Sequence, residues 1–328
     1  MVNIDVGFSM WLDFIERDFL KKDFKTLIEK DIINGATSNP AIFASAIITS
    51  KAYQEQLELL KELNPKDKYE ALAIEDIKNG AIALRETYDS YNDGYISIEI
   101  DPFLSNDTKG SLDEARRLFR AIDEPNVMIK VPATEAGYEV MGTLIQEGIS
   151  VNATLVFSPT QAQKCLEVMS NAMRIYDNSG GGRVEAVISV FVSRFDRLMD
   201  NQLEDKAKLG IMNASKIYNL IQKKHSPAIK TLFASTGVKG DSLPQEYYIN
   251  ELYAPHSINT APLNTIEAFI NSNPSQKPKL PMSEDDINEY FNNLKDKGVD
   301  MDSIYNKLFN EGLKAFEISF KDMLESLK

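Results

Sequence analysis

The run Val127-Met-Ile-Lys-Val-Pro-Ala133 is apolar and β-branched enough to form a strand buried on both faces, yet it carries a lysine, Lys130, at its centre. Side chains alternate faces along a strand, so Lys130 shares its face with Met128 and Pro132. The same alternation sorts three other segments. In "YISIEIDP" the isoleucines 96, 98 and 100 take one face and Ser97, Glu99 and Asp101 the other. In "SVNATLVFS", Ser150, Asn152 and Thr154 alternate with Val151, Ala153 and Leu155, and in "SMWLDF", Ser9, Trp11 and Asp13 oppose Met10, Leu12 and Phe14.

Taken singly, each of these residues has an ordinary reading. A charged residue in a strand usually stands at its exposed end, and Asn152 and Thr154 could simply satisfy backbone groups. Together they describe a lysine, two carboxylates and two neutral hydrogen-bonding groups on one parity of different strands. An unpaired ammonium in such a place costs several kcal/mol, which depresses a lysine pKa by as much as roughly 3 to 5 units. A partly neutral lysine is a nucleophile that attacks ketones and aldehydes to form Schiff bases. That chemistry needs no metal or cofactor, but it needs one acid or base for the water lost on imine formation and another for the hydroxyl proton released as a C–C bond breaks. Glu99 and Asp13 could divide that work.

These residues need a frame that aims them at one another. Strand-like segments are expected at 7–11, 35–38, 95–100, 127–131, 150–157, 186–192, 231–234 and 248–253. The stretches between them read as helices: "SLDEARRLFRAI" opens with Ser111 and Glu114 at capping-box spacing, and "SPTQAQKCLEVMSNAMRIY" keeps a three-and-four apolar spacing. Eight strands alternating with helices predict a closed (β/α)8 barrel, whose apolar parity faces the helices and whose polar parity faces the axis. About fifty residues between Ala44 and Asp93 read as several helices inserted after the second strand. The whole chain, 1–328, is expected to be one barrel domain, with 276–328 a helical C-terminal extension packed on the barrel's outside. The glycine cluster "NSGGGR" precedes a strand and reads as a loop, not a phosphate cradle.

Composition narrows the function. With 36 basic and 49 acidic residues the chain has a formal net charge of -13, which opposes binding to nucleic acid and to anionic membranes. Cys165 is the only cysteine, and the two histidines, His225 and His256, do not by themselves build a histidine-rich metal site. The N-terminal segment has acids among its apolar residues and no basic leader, so a cytoplasmic protein is expected. The sequence is compatible with a monomer or a homodimer.

The segments "GATSNPAIFASAI", "YISIEIDP", "VMIKVPATEAG", "GISVNATLVFS", "VISVFVSRFDRLMD" and "LFASTGVKG" resemble, in order and spacing, the successive motifs of the transaldolases. The resemblance runs from the N-terminal aspartate to about Phe269. It implies a metal-independent, class I aldolase-type barrel of the pentose phosphate pathway. Such an enzyme moves a dihydroxyacetone unit from sedoheptulose 7-phosphate to glyceraldehyde 3-phosphate, or in reverse from fructose 6-phosphate to erythrose 4-phosphate. By this resemblance Lys130 is the Schiff-base lysine, Glu99 works with a water held near Thr154, and Asp13 exchanges the C4 hydroxyl proton. Asn39 and Asn152 correspond to asparagines that hold the dihydroxyacetone hydroxyls, and Ser189 to a serine near the same carbon chain. Arg194 and Ser235 match the phosphate end. There the better-known pattern has an arginine shortly after the serine, whereas this chain offers Lys239, as does the branch of the family with "ASTGVK". Two other readings compete: a fructose 6-phosphate aldolase releasing free dihydroxyacetone, a shorter relative that commonly has tyrosine or glutamine at the Glu99 position, and a non-catalytic sugar-phosphate-binding barrel.

Overall fold

The computed structural model describes residues 2–240 and 242–328. Eight parallel strands close into a barrel in chain order: β1 (Phe8–Leu12), β2 (Gly35–Thr37), β3 (Ile96–Glu99), β4 (Val127–Pro132), β5 (Ser150–Val156), β6 (Ala186–Phe191), β7 (Ile229–Ala234) and β8 (Ser257–Ala261), with β8 pairing back to β1. Helices between the strands cover the outside, as the alternation of patterns predicts. The long segment between β2 and β3 folds into the helices Pro40–Thr49, Gln54–Leu59, Pro65–Ala83 and Arg85–Asp89, with a single 3₁₀ turn at Lys51–Tyr53.

Three local expectations need correction. The apolar run 248–253 is not the eighth strand: Tyr247–Glu251 is a short helix, and β8 is the polar-looking "SINTA" that follows. The capping box expected at Ser111 and Glu114 does not form. The helix Thr108–Ile122 begins three residues earlier, with Asp107 as its cap, and Glu114 instead accepts from the backbone N–H of Asp101 at 2.6 Å. A capping box does exist at Ser158 and Gln161, where the helix Pro159–Asn178 opens.

The third correction concerns Leu155, which strict alternation would send outward with Val151 and Ala153. The β5–β6 register shifts between Ala153 and Val156, and Leu155 adopts a left-handed φ of 57°. This bulge adds a residue and reverses the parity, so Leu155 and Phe157 join the inner cluster.

Inside the barrel, Trp11, Met128, Val187, Leu232 and Ile258 form one apolar plug. Each lies two residues before an inner position at the strand's C-terminal end, so the layer above the plug is set by Asp13, Lys130, Ser189, Ala234 and Thr260. Gly35 is required beside Trp11, because a Cβ there would lie 2.3 Å from the indole nitrogen. The indole in turn donates to Asp93 Oδ2 at 3.1 Å, closing the barrel's floor. Stripping water from that floor leaves the open end as the place for chemistry.

Two helices follow the last barrel helix, Glu284–Asp296 and Met301–Ser326. The second, the C-terminal helix, does more than lie along the flank. Gly312 approaches Leu155 and Phe157 at the end of β5, and Phe316 lies over Lys130.

Candidate active site at the barrel mouth

Register brings the chemistry together. Glu99 pairs with Lys130 across β3 and β4, and Lys130 pairs with Asn152 across β4 and β5, so three inner polar residues stand side by side. The Lys130 and Glu99 side chains are 7% and 2% exposed. Lys130 Nζ donates to the Ser38 carbonyl at 3.1 Å and lies 3.8 Å from Glu99 Oε2, an ionic distance too long for a good hydrogen bond. Among the described residues, none donates a hydrogen bond to either carboxyl oxygen of Glu99. Burial therefore pushes its pKa up to about 7, with Lys130 pulling it down and Asp13 adding to the rise.

Asp13, just beyond β1, is half-buried by accessible area, yet atoms crowd its carboxyl and desolvation raises its pKa. Lys130 opposes the rise first, and then the hydrogen bond from Thr37 Oγ1 at 2.6 Å. Thr37 also contacts Thr260 Oγ1 at 2.7 Å, so β1, β2 and β8 are tied at one level. Burial raises the pKa of both carboxyls beside one buried amine, and Glu99, at about 7, can give or take a proton near neutral pH.

The neutral groups complete the layer. Ser189 Oγ donates to Asn152 Oδ1 at 2.6 Å, and Asn152 Nδ2 donates to Ser97 Oγ at 3.2 Å, which fixes the flip of the amide. Thr154 Oγ1 is buried and has no hydrogen-bond partner among the described residues. Asn39 stands at the start of the helix Pro40–Thr49, where its Oδ1 accepts from Ile42 N at 3.1 Å.

Arg194 is the second residue of the helix Ser193–Met199, which follows β6. Its guanidinium lies 5.0 Å from the Phe191 ring centroid and 6.0 Å from that of Phe157, and no ion pair among the described residues involves it. Burial and the nearby Arg197 push its pKa down to about 10, with Glu311 opposing, so it remains a cation at neutral pH. Ser235, with a left-handed φ of 56°, is 3.1 Å from Ser193 Oγ and accepts from Ser193 N through its carbonyl at 3.0 Å. Ser235 and Arg194 are thereby linked through Ser193. Lys239 is different: it is exposed and makes no hydrogen bond or ion pair to a described residue.

Several residues at the mouth escaped the sequence reading. Thr37 follows from alternation on β2 and was within reach of it, and alternation puts Ser97 on the polar face of β3 without giving it a role. Ser193 and the C-terminal helix were out of reach, because only the folded chain brings them to the site.

A buried lysine amine between two carboxyls at the C-terminal mouth of a (β/α)8 barrel suits the class of aldol enzymes that work through an imine on lysine. The comparison with known sequences is more specific. Residues 10–327 match the sequence family described as transaldolase/fructose-6-phosphate aldolase, and the chain belongs to that family. It is 46% identical over 328 residues to a Campylobacter jejuni protein (strain RM1221) named transaldolase, covering 98% of this chain and 99% of that one. It is 44% identical over 322 residues to a Helicobacter pylori protein (strain P12) of the same name, covering 97% and 99%. No helix among the described residues is long and apolar enough to cross a membrane.

Proposed function

We propose that the protein is a transaldolase that transfers a dihydroxyacetone unit from sedoheptulose 7-phosphate to glyceraldehyde 3-phosphate through an imine on Lys130. The observation that carries this reading is the pairing of the buried Lys130 amine with Glu99, a carboxyl poised near pH 7 and 3.8 Å away. The neutral amine adds to the C2 ketone of the donor. Glu99, through a water bridging toward Thr154, protonates the departing hydroxyl of the carbinolamine, and water leaves. Asp13 takes the C4 hydroxyl proton as the C3–C4 bond breaks, and the electron pair flows into the imine to give an enamine. Erythrose 4-phosphate departs. The enamine carbon then adds to glyceraldehyde 3-phosphate, Asp13 returns its proton, and water hydrolyses the imine to release fructose 6-phosphate.

In this reading Asn39, Asn152 and Ser189 hold the hydroxyls of the three-carbon unit. Arg194, Ser235 and Lys239 hold the phosphate, since a net charge of -13 opposes an anion unless local cations gather it. We read the chain as one domain, with 276–328 as an extension packed on the barrel, and as a cytoplasmic protein.

The test is formation of fructose 6-phosphate and erythrose 4-phosphate from sedoheptulose 7-phosphate and glyceraldehyde 3-phosphate by the purified protein. Free dihydroxyacetone without transfer would make it an aldolase, and no turnover with any of these sugars would make it a binding barrel.

A further inference from the structure

We propose that Phe316, on the C-terminal helix, shields the Lys130 nitrogen from water and so decides whether the bound three-carbon unit is transferred or released; this rests on the Schiff-base reading above. Tyr305, Leu308, Gly312, Phe316 and Phe320 recur every three or four residues and form one stripe along the helix. At about 1.5 Å per residue, Tyr305 and Phe320 are roughly 22 Å apart, enough to cross the mouth.

Contacts pin this crossing on both sides. Tyr305 OH donates to Asn213 Oδ1 at 2.9 Å, and its ring meets Phe195 edge-on at 5.9 Å. At the far end Phe320 packs against Tyr69 and Phe103, with centroids at 5.4 and 6.3 Å. There the buried Lys68 ammonium also donates to the Leu327 carbonyl at 2.9 Å. Midway, Gly312 lets the helix settle onto the barrel: a Cβ would stand 3.0 Å from Arg194 Nη1 and 3.1 Å from Leu155 Cδ2. Leu155 reaches this point through its left-handed backbone, a conformation that persists where the surroundings impose it. One turn beyond Gly312, the Phe316 ring centroid lies 5.8 Å from Lys130 Nζ.

The chemistry makes this position consequential. After C–C cleavage the enamine carbon has two fates. It can add to an aldehyde carbon, forming the new C–C bond. Alternatively it takes a proton, water adds to the resulting iminium carbon, and the C–N bond breaks to give free dihydroxyacetone and the lysine amine. Once the enamine has formed, release consumes water directly, whereas transfer uses it only after the new C–C bond exists, to free the product. A ring over the nitrogen slows the approach of water at the stage where the two fates divide, while its π face favours the iminium charge.

The experiment uses full-length Phe316→Ala and Phe316→Leu with fructose 6-phosphate. Transfer to erythrose 4-phosphate is measured alongside free dihydroxyacetone formed without acceptor. The ratio of release to transfer is expected to rise about tenfold or more in Phe316→Ala and less in Phe316→Leu. Gly312→Leu, which lifts the helix and carries the intact ring away from Lys130, should shift the ratio the same way and decides the matter if Phe316→Ala fails to fold. An unchanged ratio, or both rates falling in proportion, overturns the proposal. Borohydride trapping of the wild type separates the two levels: no adduct on Lys130 sinks the Schiff-base reading, whereas an adduct with an unchanged ratio sinks only the shield.

Discussion

Glu99 and Lys130 face each other across paired strands, 3.8 Å apart, and Glu99 receives no hydrogen bond from a described residue. A carboxylate placed for stability would have been given donors, as Glu114 is by Lys66 and the Asp101 backbone. Glu99 is instead held where its charge is costly, which suits a group that must gain and lose a proton during turnover.

That cost predicts a dependence of stability on pH. The folded-state pKa of Glu99 is about 7 against an ordinary 4.5, so between these values the folded protein keeps a proton that the unfolded chain gives up. The penalty is absent below the lower value and complete above the upper one. At 1.36 kcal/mol per unit its full size is about 3 kcal/mol. Glu99→Gln is therefore expected to melt above the wild type at pH 8, with the gap closing as the pH falls toward 4.5. A gap that stayed constant across this range would show that Glu99 is not protonated in the folded protein.

The two acids should fail in different half-reactions. Loss of one general acid or base costs about 10²- to 10⁴-fold in rate. Glu99→Gln should slow both formation and hydrolysis of the imine. Asp13→Asn should still form a trappable imine with fructose 6-phosphate but cleave the C–C bond slowly. Rapid-quench trapping distinguishes the steps, and equal loss of adduct in both variants would contradict the division.

Arg194 stands over two aromatic rings with no ion pair to a described residue, so its charge is available to a ligand. A charge-assisted hydrogen bond is worth about 1.5 to 3 kcal/mol, so Arg194→Ala should raise KM for fructose 6-phosphate roughly 10- to 150-fold and affect unphosphorylated fructose much less. Lys239→Ala should show the same pattern more weakly, since Lys239 is exposed and makes no hydrogen bond or ion pair to a described residue. Equal loss with both sugars would mean that Arg194 supports the barrel and does not read the phosphate.

Where the sequence was legible, the reason is strand parity. Lys130, Glu99, Asn152 and Thr154 interrupt apolar runs at inner positions, and a period of two places them on one face without knowledge of the fold. It fails where the backbone leaves that period, as at Leu155, whose bulge reverses the parity through a turn no local pattern encodes. It fails again at β8. Thr260 there contacts Thr37, and Asn259 accepts from Thr236 at 2.9 Å, so lateral side-chain bonds support a strand whose composition looks like a loop. The apolar run 248–253 misled because a short buried helix and a buried strand have the same composition over six residues. The C-terminal helix was recognisable as a helix by its spacing. Its destination was not, because Phe316 and Lys130 are brought together only when the chain closes over the mouth.

The central claim, that Lys130 carries the covalent intermediate, is tested most directly by borohydride reduction in the presence of fructose 6-phosphate, followed by mass mapping of the peptides. The reduced three-carbon adduct is expected on Lys130 alone, and Lys130→Met, which keeps the length of the side chain without its amine, should remain folded, form no adduct and transfer nothing. An adduct on Lys239 or any other lysine, or transfer by Lys130→Met, would contradict the account.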